Sequence, residues 1–401
     1  MRFIDGGVTA PQGYFATGVA CGLKDSGDKD LAIVCSEDAA AVAGVFTTNK
    51  VKGHSLKLTM NHVRNNGYAT AIIINSANAN ACVGDKGDSD AREIANKAAS
   101  LLECSSDEIL VASTGVIGVP LDMEKVLFGV EEAVNGMTPD GGHDAELAIM
   151  TTDTQPKEVA VEIEIQGETV IIGGMAKGSG MIHPNMATMI GVLTTDANIS
   201  KKLLDKALKQ VCSSTFNRIT VDGDMSVCDM VVMFANGLAD NAGIIAEDVN
   251  YNYFCEALEK VCLILAKKVA ADGEGATKLI EVSVAGAKTA EDAYKICSAI
   301  AKSPLVKTAI NGCDPNWGRI ITAIGYSGAD FDPERIDISV NKTKVCRSGS
   351  AAIYDEDKLI DALQRDEITI SVQMNYGAFS DKMWTCDFSE EYIRINGSYR
   401  T

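Results

Sequence analysis

A layered α+β fold with mixed, largely antiparallel sheets is predicted from three features of the chain. Two hairpin patterns recur, amphipathic helical stripes separate apolar runs, and no linker interrupts the alternation. Leu31 to Cys35, Ala71 to Asn75 and Ile109 to Ser113 are short apolar runs and read as buried strands. Asp90 to Glu103 sets Ile94, Ala95, Ala98, Leu101 and Leu102 along one stripe, which predicts a helix. Val161 to Ile165 alternates with period two, and the Gln166-Gly167 turn leads into Thr169 to Ile172, so a hairpin with one solvated face is expected. Met189 to Leu193 reads as another buried strand. Lys201 to Cys212 reads as a helix with Ser200 as its N-cap. Longer helical patterns cover Tyr253 to Ala271 and Ala290 to Lys302. A second hairpin joins Arg335 to Val340 and Thr343 to Cys346 through Asn341-Lys342. Hairpins mixed with helices favour α+β layers over a doubly wound parallel sheet.

Composition bounds the function. A chain of 401 residues, 46% hydrophobic and 23% charged, can bury a large core as one big domain or two lobes. Its formal net charge of −19 argues against nucleic-acid or anionic-membrane binding, since both need a basic surface. Small-molecule partners are expected instead. No two of the twelve cysteines form a C-x-x-C pair, and the nearest, Cys255 and Cys262, fall on one helical pattern. Their scatter through apolar stretches suits buried free thiols in a reducing, cytoplasmic compartment. Four histidines give little support to a His-rich zinc centre, so no metal is expected. No apolar run is long enough to span a bilayer.

The segment from Lys177 to Ala197 holds the chemistry. It combines a glycine-rich approach, the His183-Pro184-Asn185 corner and Thr188. Pro184 fixes its own φ and biases His183 towards an extended conformation, so the chain reaches Ala187-Thr188 with few options. A hydroxyl held at such a boundary can attack the carbonyl before it. The N-to-O acyl shift, followed by hydrolysis, would cut Ala187 from Thr188 and leave a chain beginning at Thr188. The new α-amine, with a pKa near ~7.7 to 8.0, could then activate that hydroxyl as a nucleophile. Taken alone, the segment equally fits an ordinary β-branched residue opening a strand.

Lys177-Gly-Ser-Gly-Met-Ile-His-Pro-Asn-Met-Ala-Thr-Met189 resembles the autocleavage and nucleophile motif of the bifunctional glutamate/ornithine N-acetyltransferase family of arginine biosynthesis. Gly44 to Asn49, Asn75 to Cys82, Ser113 to Gly118, Thr151 to Thr154, Phe216 to Asp224, Ala271 to Lys278, Asp314 to Arg319 and the Asn396 to Thr401 tail resemble the same family in order. The resemblance spans essentially the whole chain. It implies an autoprocessed, N-terminal-nucleophile-type fold in which an α chain, residues 1 to 187, and a β chain, residues 188 to 401, intertwine as α2β2. It also implies acetyl transfer from N2-acetyl-L-ornithine to L-glutamate through an acetyl-threonine on Thr188. No cofactor is implied, although acetyl-CoA could serve as a second donor. Because Gly6 to Gly18 resembles the first ordered segment of the family, no leader is expected.

The resemblance carries roles to individual residues. Thr114 and Gly115 would form the oxyanion hole. Lys177, Glu274, Asn396, Thr401 and one of Thr151 or Thr152 would contact substrate, with Lys177 on a carboxylate and Glu274 on the ornithine ammonium. His183 is expected to shape the corner that presents Thr188. Gly273 to Lys278 lacks the spacing of a phosphate loop, and Asp222-Gly-Asp224 reads as a tight acidic turn. Met225, Val227 and Cys228 depart from the smaller polar residues of the family pattern. Two other classes fit the same residues: an N-terminal-nucleophile aminopeptidase or amidohydrolase, in which water discharges the acyl-threonine, and a non-catalytic amino-acid-binding protein.

Overall fold

The structure, a computed structural model, describes residues 1–183 and 189–398. The cleavage-site residues Ala187 and Thr188, together with Thr401, lie outside the described residues. The chain forms two compact units. Met1–Asn217 and Asp224–Val269 make the first; Arg218–Gly223 and the chain from Ala270 to Ser398 make the second.

The first unit is built on a nine-stranded sheet among the described residues. Its strands run in the order Arg2–Ile4, Glu158–Ile165, Glu168–Lys177, Ile190–Thr195, Met230–Ala235, Leu31–Phe46, Tyr68–Asn75 and Ile109–Ser113, with Tyr14–Val19 also on Leu31–Phe46. Two ladders are parallel: Ile190–Thr195 on Met230–Ala235, and Tyr68–Asn75 on Ile109–Ser113. The others are antiparallel. Side chains alternate across a strand, so Ala32, Val34, Ile72 and Ile74 enter one core while Leu31, Ile33, Ala71, Ile73 and Val111 enter another. Both faces are covered, by helices Gly142–Ile149 and His54–Asn65 on the first and Asp85–Leu102 and Met123–Gly136 on the second. A sheet buried on both faces needs continuous apolar strands, which is why these runs show no alternation.

The second unit has a seven-stranded sheet among the described residues, ordered Ser350–Ala351, Thr343–Arg347, Asp337–Val340, Glu367–Gln373, Leu279–Ala287, Phe379–Cys386 and Ile219–Thr220. Its core gathers Ile280, Val282, Ile296, Ile300, Ile338 and Ile370 beneath helices Ala290–Lys302 and Trp317–Gly325.

Both expected hairpins form, and both turns use positive φ: Gln166 (56°) with Gly167 (92°), and Asn341 (45°) with Lys342 (70°). Positive φ at both central positions matches the twist of the flanking strands. Helix Ala290–Lys302 has the expected bounds, and the Thr289 side chain accepts from Asp292 N–H. Several expectations need correction. The strand from Leu31 continues to Phe46, and the helices expected from Asp90 and Tyr253 start at Asp85 and Val249. Arg335 closes the 3-10 turn Pro333–Arg335, outside the strand that follows. Ser200 holds the N-cap position of Lys201–Ser214 without a side-chain cap bond. Cys82 is exposed and Cys104 and Cys313 are partly so, while the other nine thiols are buried. Among the described residues no helix is long and apolar enough to cross a membrane.

Candidate functional site

Strand Ile109–Ser113 is followed by Thr114, whose N–H donates to the Asn75 carbonyl at 3.0 Å. Gly115 follows with φ +123°, and a Cβ there would lie 2.0 Å from the Ala77 carbonyl oxygen, so only glycine fits. Among the described residues, neither the Thr114 hydroxyl nor the Gly115 N–H has a hydrogen-bond acceptor, although Thr114 is buried. Two adjacent donors without acceptors are what an oxyanion site requires.

Lys177 ends strand Glu168–Lys177 and pairs in register with Ile190, two residues beyond Thr188. Its side chain is buried, and Nζ donates to Thr151 Oγ1 at 2.7 Å. Thr152 makes no such bond among the described residues, so Thr151 is the one of the two threonines that touches Lys177. Asp153, which sequence reasoning did not single out, organises the cluster. Its Oδ1 accepts from Lys157 Nζ (2.7 Å) and Gly178 N–H (2.6 Å), and its Oδ2 accepts from Thr151 N–H (3.0 Å). Lys177 Nζ lies 3.8 Å from the same carboxylate. Burial alone would raise the Asp153 pKa, but the Lys177 and Lys157 ammonium groups outweigh it and hold the carboxyl far below the usual range. Lys157 N–H also donates to Glu146 Oε1 at 2.8 Å, while burial pushes the Glu146 carboxyl well up.

A run of contacts links the Thr114-Gly115 turn to the strand that follows Thr188. Ala79 N–H donates to the Val116 carbonyl at 2.9 Å, and Cys228 Sγ donates to the Ala79 carbonyl at 3.2 Å. The next residue, Asp229, accepts from Met189 N–H through Oδ1 at 3.1 Å. Burial raises the Asp229 pKa well above the ordinary carboxylate value, with Met189 N–H, the Ser226 hydroxyl and Lys177 opposing it. Val227 and Cys228, two of the three departures from the family pattern, pack with Ala79 and Ala81 in a small apolar cluster.

In the second unit, Glu274 and Asn396 meet. Asn396, on helix Glu390–Ser398, donates from Nδ2 to Glu274 Oε2 at 2.7 Å. Gly275 sits at φ +70°, where a Cβ would strike Tyr392 N at 2.6 Å, so the turn and the helix lie in close contact. Ser389 Oγ donates to the Gly275 carbonyl at 2.5 Å. The expected tail position of Asn396 is therefore ordered and helical. The roles expected of Ala187, Thr188 and Thr401 fall outside the described residues. Asp153, Lys157 and Asp229 escape sequence reasoning because a lone carboxylate or lysine in a turn carries no pattern of its own; Asp153 stands in the Thr151 to Thr154 motif without an assigned role.

Comparison with known proteins places the chain. The ArgJ family matches residues 15–401. The chain is 50% identical over 405 residues to the arginine biosynthesis bifunctional protein ArgJ of Caldanaerobacter subterraneus subsp. tengcongensis, covering 100% of both. It is 48% identical over 403 residues to the protein of the same name from Symbiobacterium thermophilum, again covering 100% of both. A crystal structure of the Bacillus halodurans arginine biosynthesis bifunctional protein matches with a TM-score of 0.50 and 45% identity, over 51% of this chain and 97% of that one. The chain belongs to the ArgJ family.

Proposed function

We propose that this ArgJ-family protein, an acetyltransferase of arginine biosynthesis, works as an autoprocessed enzyme with Thr188 as its nucleophile. The observation that carries the reading is the pair of donors at Thr114 and Gly115 that have no acceptor among the described residues. Thr188 Oγ attacks the acetyl carbonyl of N2-acetyl-L-ornithine while its proton passes to the free α-amine of the same residue. Thr114 and Gly115 hold the tetrahedral oxyanion. The carbon–nitrogen bond then breaks, the α-amine returns the proton to the leaving amine, and ornithine departs. The amine of L-glutamate attacks the acetyl-threonine by the same steps in reverse, giving N-acetylglutamate and free Thr188.

Substrate recognition divides between opposite charges. Lys177, oriented by Thr151 and Asp153, takes the α-carboxylate common to both amino acids, and Glu274, with Asn396, takes the ornithine ammonium group. Thr401 would contact the substrate. The acetyl group rides on the enzyme, so neither metal nor nucleotide is needed, and acetyl-CoA would enter only as an alternative donor. The products of cleavage at Ala187-Thr188 would remain associated as α2β2 in the cytoplasm, without nucleic-acid or membrane partners. Strands on either side of that bond, Glu168–Lys177 and Ile190–Thr195, share one ladder, which supports the two pieces staying together after a cut. The test is the intact mass of denatured wild-type and Thr188→Ala protein, followed by transfer of acetyl from acetylornithine to glutamate. Two fragments meeting at Thr188 in the wild type alone support the reading; one uncut chain in both refutes it.

A further inference from the structure

The parallel ladder between Ile190–Thr195 and Met230–Ala235 begins with the pair Ile190 and Met230. One residue earlier, Met189 is held through both its backbone groups. Its carbonyl accepts from Met230 N–H at 3.0 Å, and its N–H donates to Asp229 Oδ1 at 3.1 Å. A side chain thus replaces the missing strand partner at the end of the ladder. Asp229 is itself anchored, since its carbonyl accepts from Thr47 N–H at 3.0 Å and Thr47 Oγ1 donates to the Ser226 carbonyl at 3.1 Å. The residue is 1% exposed.

We propose that Asp229 is a positioning residue for Thr188, acting through the hydrogen bond that its side chain accepts from Met189 N–H. The proposal rests on the reading of Thr188 as the nucleophile. A planar peptide transmits the orientation of its N–H to the carbonyl side, so clamping Met189 N–H limits the approach of the residue before it. Among the described residues, the charged or titratable groups that act on Asp229 are Lys177, at the end of strand Glu168–Lys177, and the Cys228 thiol, and burial raises the Asp229 pKa.

The experiment follows cleavage by intact mass, and acetyl transfer from pH 6 to 9, in full-length wild type, Asp229→Val, Asp229→Asn and Thr188→Ala. Asp229→Val, which removes the acceptor, should lower the cleavage rate and kcat by about 10- to 100-fold with little change in KM. Asp229→Asn supplies an uncharged acceptor and should recover most of that loss, with the pH midpoint of kcat unchanged. Wild-type rates in folded Asp229→Val would overturn the proposal. So would a displaced pH midpoint or abolished turnover in Asp229→Asn, because the carboxyl would then act as a charge or base. If Asp229→Val does not fold, the asparagine variant decides alone. Wild type that stays uncut removes the nucleophile reading itself, an outcome distinct from any behaviour of the Asp229 variants.

Discussion

Asp153→Asn should destabilise the first unit through charge while leaving shape almost untouched. The carboxylate bonds to Lys157 Nζ at 2.7 Å and lies 3.8 Å from Lys177 Nζ, with side-chain exposures of 0% for Asp153, 1% for Lys157 and 2% for Lys177. An amide of the same shape keeps the oxygen that accepts from Gly178 N–H but leaves two buried ammonium groups without their shared anion. Breaking a buried pair from one side costs about 3–5 kcal/mol. For a unit of this size, at about 2–4 °C per kcal/mol, the thermal midpoint should fall by about 6–20 °C. Lys157→Met in the Asp153→Asn background removes one of the stranded charges and should recover part of the loss, giving a coupling of about 0.5–3 kcal/mol in the double-mutant cycle. The pH dependence follows from the depressed pKa of Asp153. Its stabilisation is present above the ordinary aspartate value of about 3.9 and is lost as pH falls towards the folded value, so Asp153→Asn should flatten the acid limb of the stability curve. Thermal unfolding of the four proteins from pH 3 to 8 is the assay. A midpoint within a degree of wild type for Asp153→Asn, or strict additivity in the cycle, would refute the reasoning.

Gly115→Ala should abolish the turn geometry of the oxyanion pair, since its Cβ would stand 2.0 Å from the Ala77 carbonyl, and should lower kcat by about 10²- to 10³-fold in folded protein. Initial rates of acetyl transfer check it. Thr151→Val should raise KM for both amino-acid substrates by about tenfold through loss of the bond to Lys177, whereas Thr152→Val should leave KM unchanged. Glu274→Gln should weaken acetylornithine more than glutamate. With Asn396→Ala its effect should be less than additive, because the two side chains share one 2.7 Å hydrogen bond. Equal losses for both substrates would remove Glu274 from recognition of the ornithine ammonium.

Local chemistry makes part of this fold legible in the sequence. Gln166-Gly167 and Asn341-Lys342 announce their hairpins because a two-residue turn with positive φ admits few residue types. Leu31 to Cys35 is legible as a strand, but its continuation to Phe46 is hidden by Glu37 and Asp38, which are exposed where the register shifts between Cys35 and Ala40. A bulge breaks the apolar pattern without ending the strand. The start of Asp85–Leu102 is hidden because Asp85, Lys86 and Gly87 carry no apolar stripe. The division into two units leaves no mark, since the chain crosses between them at Asn217 and Asp224 and again inside helix Val249–Ala271, not through a flexible linker.

The site divides along the same line. Thr114, Gly115 and Lys177 can be named in advance because each lies within a motif of contiguous residues. The groups that make them effective are joined only by folding. Asp153 reaches Lys177 across 24 positions, Asp229 reaches Met189 across 40, and Asn396 reaches Glu274 across 122. A charge whose partner is that distant in sequence looks like any solvated turn residue until both are buried together, and burial is what gives the contact its energy. The nucleophile segment can therefore be read from sequence, while the carboxyl groups that set its geometry and charge cannot. Substitutions at Asp153 and Asp229 test that second layer, because they alter no residue to which the motifs assign a role.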